Sequence, residues 1–163
     1  MRHYLTAGWM GLMLALQVGC ASPSLVVQDT LGLTESVTIQ RQQSGSDSNL
    51  TSAGQWLVHC QVQLDTFNSS ELARLEVDFD TESLVLITLG EQPTSGYWVE
   101  IMGASQLEDR LYVQGVANRP SEGAVTAQDL TYPYGAAVIS KTDAGLLHPE
   151  IESVEGQSKP GSE

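Results

Sequence analysis

Two apolar runs joined by a short polar connection dominate the hydrophobic pattern of this sequence. Leu84–Leu89 is apolar except for one threonine, and its length and β-branched content are typical of a strand buried on both faces. Alternate residues of Tyr97–Met102 differ in character, which predicts a strand with two different faces. Gly90 and Gly96 bracket the connection, and Pro93 stiffens it. We therefore predict a hairpin that displays a polar tip.

Weaker alternating runs predict the remaining elements. The clearest is Trp56–Leu64, in which every second residue from the tryptophan onward is apolar. Asn68, followed three residues later by Glu71, predicts the capped start of one short helix. Further strands are predicted within Leu31–Arg41, Arg110–Ala117 and Ala136–Lys141.

Short strands without βαβ alternation predict a mainly β fold. It should be an antiparallel β-sandwich or an incomplete barrel with one short helix. We place this β domain at residues 55–141. Residues 20–54 are predicted to form an N-terminal lead that ends in a mobile polar loop, Gln42–Gly54. Residues 142–163 are predicted to form an acidic disordered tail.

Residues 1–19 have the features of a bacterial lipoprotein signal peptide. The apolar stretch Leu5–Leu16 is too short to span a bilayer. Gly19 followed by Cys20 resembles a lipobox, so we predict that Cys20 is lipidated and begins the mature chain, in preference to simple secretion. Ala21 after the cysteine favours the outer membrane. The prediction is a lipid-anchored protein of the bacterial cell envelope that faces the periplasm.

The formal net charge of −13 argues against two classes of partner. Nucleic acids and anionic lipid surfaces both attract positive patches, so we expect no nucleic-acid partner and membrane attachment through the lipid alone. The chain has two cysteines, and if Cys20 carries lipid, Cys60 has no disulfide partner. The fold must then rest on its core.

The candidate catalytic and metal-binding residues form no recognisable set. His59 and Cys60 are adjacent on a predicted strand, so we expect a solvent-facing histidine and a core cysteine on opposite faces. Asp78, Asp80 and Glu82 alternate but lack the glycine of a calcium loop, and we interpret them as a solvated strand edge and turn. We predict a protein that is not an enzyme and that has no cofactor, metal or small-molecule substrate.

Four pieces, in order along residues 77–140, carry a family resemblance. They are Asp78-Phe79-Asp80, then Gly90–Tyr97 with Glu100-Ile101, then Leu111-Tyr112-Val113 before Pro120 and Gly123, and finally Leu130–Tyr134 before Val138-Ile139. This segment resembles the C-terminal domain of PrcB-like, protease-complex-stabilising lipoproteins. The resemblance implies a non-catalytic envelope protein that binds and stabilises a protease or another envelope protein.

The polar connection is the predicted partner-binding site. It is longer than a minimal hairpin turn, and we expect Trp98 to be exposed because it lies on the face opposite Tyr97. An exposed aromatic side chain beside a rigid loop is a frequent binding hot spot. The region of Pro133 adds a second contact if both connections lie at the same end of the sandwich. The predicted partner-binding residues are Pro93, Thr94, Ser95, Gly96, Tyr97, Trp98, Pro133 and Tyr134.

Two other functions stay open at this stage. Pro93–Tyr97 is also similar to the Asn-Pro-Thr-Thr-Gly loop of chagasin-like inhibitors of cysteine peptidases, which are immunoglobulin-like β proteins. That similarity implies a peptidase inhibitor. A purely structural envelope lipoprotein would need no specific partner, and the connection would then be only a turn.

Overall fold

The structure is a computed structural model that describes residues 35–157 and residue 159. Within these residues, strands and two short helices follow one another along the chain. They are β1 (Glu35–Val37), β2 (Ile39–Ser46), β3 (Ala53–Val58), α1 (Gln61–Asp65), α2 (Ser70–Ala73), β4 (Glu82–Leu89), β5 (Trp98–Leu107), β6 (Arg110–Arg119), β7 (Pro133–Ser140) and β8 (Leu146–Glu155).

The strands form two four-stranded sheets. The first sheet has the order β1-β5-β6-β8, and the second has the order β2-β7-β4-β3. Every pair is antiparallel except β6 with β8, which run parallel. The prediction of a mainly β, two-sheet fold is confirmed, whereas the parallel pair differs from the antiparallel arrangement that we expected.

The two sheets enclose one apolar core between them. Most of its fully buried members come from β4, β5, β6 and β7, so each sheet contributes one face. They include Val85, Ile87, Val99, Ile101, Leu111, Val113, Ala137 and Ile139. Leu147 and Ile151 of β8 pack against this core from the edge.

A second core lies on the other face of the second sheet. Leu64 of α1 and Leu72 of α2 belong to the same buried cluster as Leu84, Leu86 and Tyr134. The segment between β3 and β4 therefore forms a third layer over this sheet. Because one layer covers each face of β4, the prediction that its apolar run is buried on both faces is confirmed.

The predicted hairpin between β4 and β5 is wrong, because the two strands belong to different sheets. β4 pairs with β3 and β7, whereas β5 pairs with β1 and β6. A strand that is apolar on both faces needs a covering layer on each face and neighbouring strands on both sides. β4 has β3 and β7 as its neighbours in the second sheet, and a layer covers each of its faces. The connection at residues 90–97 therefore crosses from sheet to sheet, a gap of about 10 Å in packed sheets.

The predicted strand Trp56–Leu64 is wrong beyond Val58. After this residue the chain turns into α1, which buries Leu64 and leaves Val62 75% exposed. The backbone N–H of His59 donates to Gln63 Oε1 at 2.8 Å, so a side chain of α1 holds the turn. Apolar residues at every second position fit a strand, but in α1 only Leu64 is buried in the core beneath the second sheet.

The predicted polar loop, Gln42–Gly54, is wrong at both ends, and only residues 47–52 lie outside the strands. β2 pairs with β7 through Ser46, and β3 begins at Ala53. Main-chain hydrogen bonds, rather than apolar side chains, fix these edge residues, so hydrophobic periodicity does not reveal them. The helix that we predicted to start at Asn68 is α2, and its cap is Ser69, whose Oγ accepts from the N–H of Leu72 at 3.1 Å.

The predicted disordered tail is also wrong, since β8 occupies much of it. All ten residues of Leu146–Glu155 are in register with β6. Gly115 makes room for this pairing, because a Cβ there would lie 2.8 Å from Cδ1 of Ile151. Glutamates at alternate positions of β8 face solvent, and they gave the segment its disordered composition. The strands thus extend beyond the predicted 55–141 domain on both sides.

The predicted signal peptide, Cys20 and the start of the N-terminal lead lie outside the described residues. Among the residues that are described, neither helix has the length and apolar content needed to cross a bilayer.

Candidate functional site

The connection between β4 and β5 turns at a glycine at each end. Gly90 has φ +68°, and a Cβ there would lie 2.7 Å from the backbone nitrogen of Ala53. Gly96 has φ +95°, and a Cβ there would lie 3.0 Å from Cγ of Pro120. Other residues adopt such positive φ values only at a cost, so both positions favour glycine.

A second connection, residues 120–132 between β6 and β7, lies alongside the first. Gln92 and Thr131 exchange two backbone hydrogen bonds, of 2.7 and 3.0 Å. Ser95 donates its N–H to Ala127 O at 3.0 Å and accepts the N–H of Ala127 on its Oγ at 3.0 Å. Thr131 Oγ1 donates to Thr94 O, also at 3.0 Å. We call residues 90–97 together with residues 120–132 the loop pair.

Asn118 at the end of β6 ties the loop pair to the C-terminal end of β8. Its side chain is buried, donates from Nδ2 to Gly96 O at 2.8 Å and accepts the N–H of Gln157 on Oδ1 at 2.9 Å. Trp98 Nε1 donates to Gln157 O at 3.3 Å. The side chains of Asn118 and Trp98 therefore hold the first connection, the end of β6 and the segment after β8 together.

The structure separates the predicted site residues into an exposed group and a buried group. Pro93 and Gly96 are exposed, and Thr94, Ser95 and Tyr97 are half-buried. Trp98, Pro133 and Tyr134 are buried. The two connections do lie together, as the second contact required.

The expectation that Trp98 is exposed is wrong. Only 8% of the residue is accessible, because it is the first residue of β5 and its ring lies against the C-terminal segment. Tyr134 is 1% accessible, and its Oη accepts from Gln43 Nε2 at 2.6 Å. Burial raises the pKa of Tyr134. Both aromatic residues are available as structural supports rather than as contacts for a partner.

Two exposed apolar residues of the loop pair were not predicted. Val125 is fully exposed and Leu130 is 59% exposed, and both lie in the second connection. This connection has no regular secondary structure, so no periodicity marks its residues. The signal in the sequence was the presence of isolated aliphatic residues in a stretch otherwise made of small and polar residues.

The ionisable groups of the loop pair are mainly acidic. Glu91 accepts a hydrogen bond from Tyr132 Oη at 3.0 Å, and this bond raises the pKa of the tyrosine. Arg119 pairs with Glu155 at 2.9 Å, which lowers the pKa of that carboxyl. Glu122 and Asp129 are exposed within the second connection. The surface therefore presents negative charge around its apolar residues.

His59 and Cys60 occupy the reverse of their predicted environments. Cys60 is exposed with a free thiol, whereas His59 is half-buried. The histidine Nε2 lies 3.1 Å from Ala144 O, and Nδ1 lies 3.3 Å from Ser83 Oγ. A carbonyl only accepts, so the neutral ring carries its proton on Nε2 and accepts the serine hydroxyl on Nδ1. Both ring nitrogens are used to hold the start of β8 against β4.

The carboxylates at residues 78–82 close a turn. Asp78 accepts the N–H of Asp80 at 3.1 Å and the hydroxyl of Thr81 at 2.9 Å. Glu82 forms an ion pair of 2.7 Å with Arg41, whose hydrogen bond lowers the pKa of Glu82. In the part of the chain that the structure describes, no group of three or more His, Cys, Asp or Glu residues is placed to hold a metal ion.

The family model described as PrcB C-terminal matches residues 83–140. The resemblance predicted from the sequence over residues 77–140 is thereby confirmed for this segment, which runs from β4 to β7 and contains the whole loop pair. Comparisons with curated proteins and with solved structures gave no match.

Proposed function

We propose that this protein is a non-catalytic envelope protein that binds a protein partner through the loop pair. The observation that carries this proposal is the fixed association of two chain connections, which display Val125 and Leu130 to solvent. The match to the PrcB C-terminal family supports a partner that belongs to a protease complex.

The hydrogen bonds within the loop pair favour binding because they order the surface before a partner arrives. Segments that must become ordered on binding lose affinity through conformational entropy, and a preformed surface avoids much of that cost. Pro93 further restricts the exposed tip of the first connection. Aliphatic side chains on a rigid surface can then fill pockets of the partner.

The charge of the loop pair indicates the chemistry of the partner. Glu91, Glu122 and Asp129 are exposed, and the cation Arg119 is already paired with Glu155. A partner surface that places Lys or Arg around apolar pockets complements this arrangement.

The non-catalytic assignment rests on how the candidate groups are used. His59 uses both ring nitrogens in hydrogen bonds within the fold, and its neighbour Cys60 is exposed with a free thiol. A nucleophile and base must lie within hydrogen-bond distance of each other, and this pair has no such contact.

The proposal places the protein on the periplasmic side of the outer membrane through lipid on Cys20. Replacing this thiol removes the sulfur atom that would carry the thioether-linked lipid. We expect Cys20→Ser to move the protein from the membrane fraction to the soluble periplasmic fraction, and Cys60→Ser to leave it on the membrane. Retention of both variants on the membrane would exclude anchoring through Cys20.

Recovery of partners from envelope membranes tests the function. We expect the wild type to co-purify with a peptidase. The double variant Val125→Ser, Leu130→Ser should recover at least about tenfold less of this peptidase, since it lacks two aliphatic side chains that the partner would bury. Met102→Ser is the matched control, because Met102 is 62% exposed on β5 outside the loop pair. Equal recovery by all variants would contradict the proposal.

The peptidase activity of the recovered complex distinguishes the remaining functions. A stabilising subunit leaves the peptidase active and prolongs its lifetime. Loss of its activity when the protein is added, or inhibition of papain-type peptidases by the purified protein, would assign the chagasin-like inhibitor function instead. Recovery of abundant envelope proteins alone would assign a structural role.

A further inference from the structure

Most edge strands of the two sheets carry features that prevent pairing with another chain. β1 has three residues in the described part of the chain and includes Glu35. β8 carries Pro149 and glutamates at Glu150, Glu152 and Glu155. Short length, proline and charge are the usual protections of an exposed sheet edge.

β2 is protected in a different way. Its register with β7 shifts between Ile39 and Arg41, so the strand is irregular at one end. Further along, Ser44 O accepts a hydrogen bond from Lys159 Nζ at 2.7 Å. The C-terminal segment therefore already satisfies part of this edge.

β3 has none of these protections. Ala53–Val58 contains no charged residue and no proline, and it pairs with β4 through six consecutive positions without a bulge. It is the last strand of the second sheet in the described residues. β8 approaches it from the first sheet but is not paired with it. Within the described residues, the outer main-chain groups of β3 thus form a regular edge with which no strand pairs.

Two small hollows flank this edge on the side of the helical layer. Trp56 and Phe67 stand edge to face, with ring centroids 5.3 Å apart, and contribute to both hollows. Each hollow has a volume of about 200 Å³, and no charged side chain lines either one. Gly54 makes room for the indole, because a Cβ there would collide with the ring. An added strand places every second side chain on this side of the sheet.

The charge of the protein indicates which kind of segment can bind to the edge of β3. Between Arg41 and Arg74 the sequence has no Lys or Arg, and Asp65 of α1 is exposed, whereas Asp47 is buried and Glu71 is paired with Arg74. Lys141 lies at the end of β3, but its Nζ already donates to His59 O and Phe79 O. The whole chain has a formal net charge of −13, so a second copy would be repelled. A basic segment is attracted to the same surface.

We propose that the open edge of β3 binds an extended, basic segment of a partner protein, which adds a strand to the second sheet. Main-chain hydrogen bonds to β3 provide general affinity, and two aliphatic side chains in the hollows beside Trp56 and Phe67 provide selectivity. This site adjoins the first connection but includes no residue of the loop pair, and it does not depend on the function proposed for the loop pair.

Selection from a random nine-residue peptide library displayed on phage tests this site with the purified protein as bait. We expect the selected peptides to alternate aliphatic residues and to carry Lys or Arg. Their binding should slow hydrogen exchange of amides within residues 53–58. Two versions of a selected peptide should be compared, each N-methylated on the amides that point to one side of the extended strand. Methylation on the side that faces β3 should abolish binding, and methylation on the other side should leave it unchanged.

A charge pair on the strand provides the matched control. Gln55 is exposed at the middle of β3. Gln55→Lys should weaken the binding affinity for a basic peptide about tenfold, and Gln55→Glu should not weaken this affinity. The proposal is overturned if no peptide is enriched, if the selected peptides protect amides elsewhere, or if both methylated versions bind equally. Dimerisation that buries residues 53–58 would assign the edge to a second copy and would overturn it as well.

Discussion

A chain that ends at Gly145 should fail to fold. Deleting the residues after Gly145 removes β8, which pairs with β6 along its full length and packs Leu147 and Ile151 against the core between the sheets. β6 would become an unprotected edge, and the core would open on that side. We expect the loss of most of the roughly 5–15 kcal/mol that stabilises an ordinary domain.

Urea unfolding followed by circular dichroism measures this effect. The truncated chain should show no cooperative transition, or a strongly lowered midpoint. Two point variants keep the comparison quantitative. Ile151→Ala should cost about 1–3 kcal/mol, since Ile151 is half-buried against the core. Glu150→Ala, at an exposed position, should cost less than about 0.5 kcal/mol. A truncated chain as stable as the full chain would show that the segment is the disordered tail first expected.

Substitutions on opposite faces of β4 should both be severe. Leu86 has no accessible surface and packs with the helical layer, and Ile87 is 2% accessible and packs between the sheets. Each change to alanine leaves a cavity in a different core, so Leu86→Ala and Ile87→Ala should each cost about 2–5 kcal/mol in the free energy of unfolding.

Denaturant unfolding of the two variants, with Met102→Ala as the exposed control, checks this three-layer arrangement. The control should change stability by less than about 0.5 kcal/mol, since Met102 is 62% exposed. If only Ile87→Ala is severe, the helical layer does not cover the second sheet in solution. If only Leu86→Ala is severe, the sheets do not pack together.

The parts of the fold that the sequence predicted are those where hydrophobic pattern and environment agree. The run Leu84–Leu89 in β4 is apolar except for Thr88 because both faces are buried, so its composition alone identified it. The family resemblance was predictable for a similar reason, since most of its motifs lie in the turns and strands between residues 83 and 140.

Pairing between strands was not predictable from adjacency. The connection at residues 90–97 has the glycines and proline of a hairpin turn, but the same residues also permit a crossing between sheets. What decides between them is the position of β7, which occupies the side of β4 that β5 would need. That information lies some forty residues further along the chain.

Burial at the site followed from tertiary contacts that a local pattern does not contain. Trp98 was expected to be exposed because it lies opposite Tyr97, but the C-terminal segment covers it and Gln157 accepts its indole N–H. β8 itself was missed because Pro149 and alternate glutamates resemble a disordered composition. The error in β8 therefore caused the error at Trp98.

The most direct test of the loop pair as a partner-binding surface is site-specific photo-crosslinking in envelope membranes. A photoreactive residue replaces Pro93, Val125 or, as the control, Gln114, which is exposed on β6 outside the loop pair. We predict that positions 93 and 125 crosslink to the same protein and that position 114 does not. Crosslinking to that protein from position 114 alone, or equally from all three positions, would contradict the proposed function.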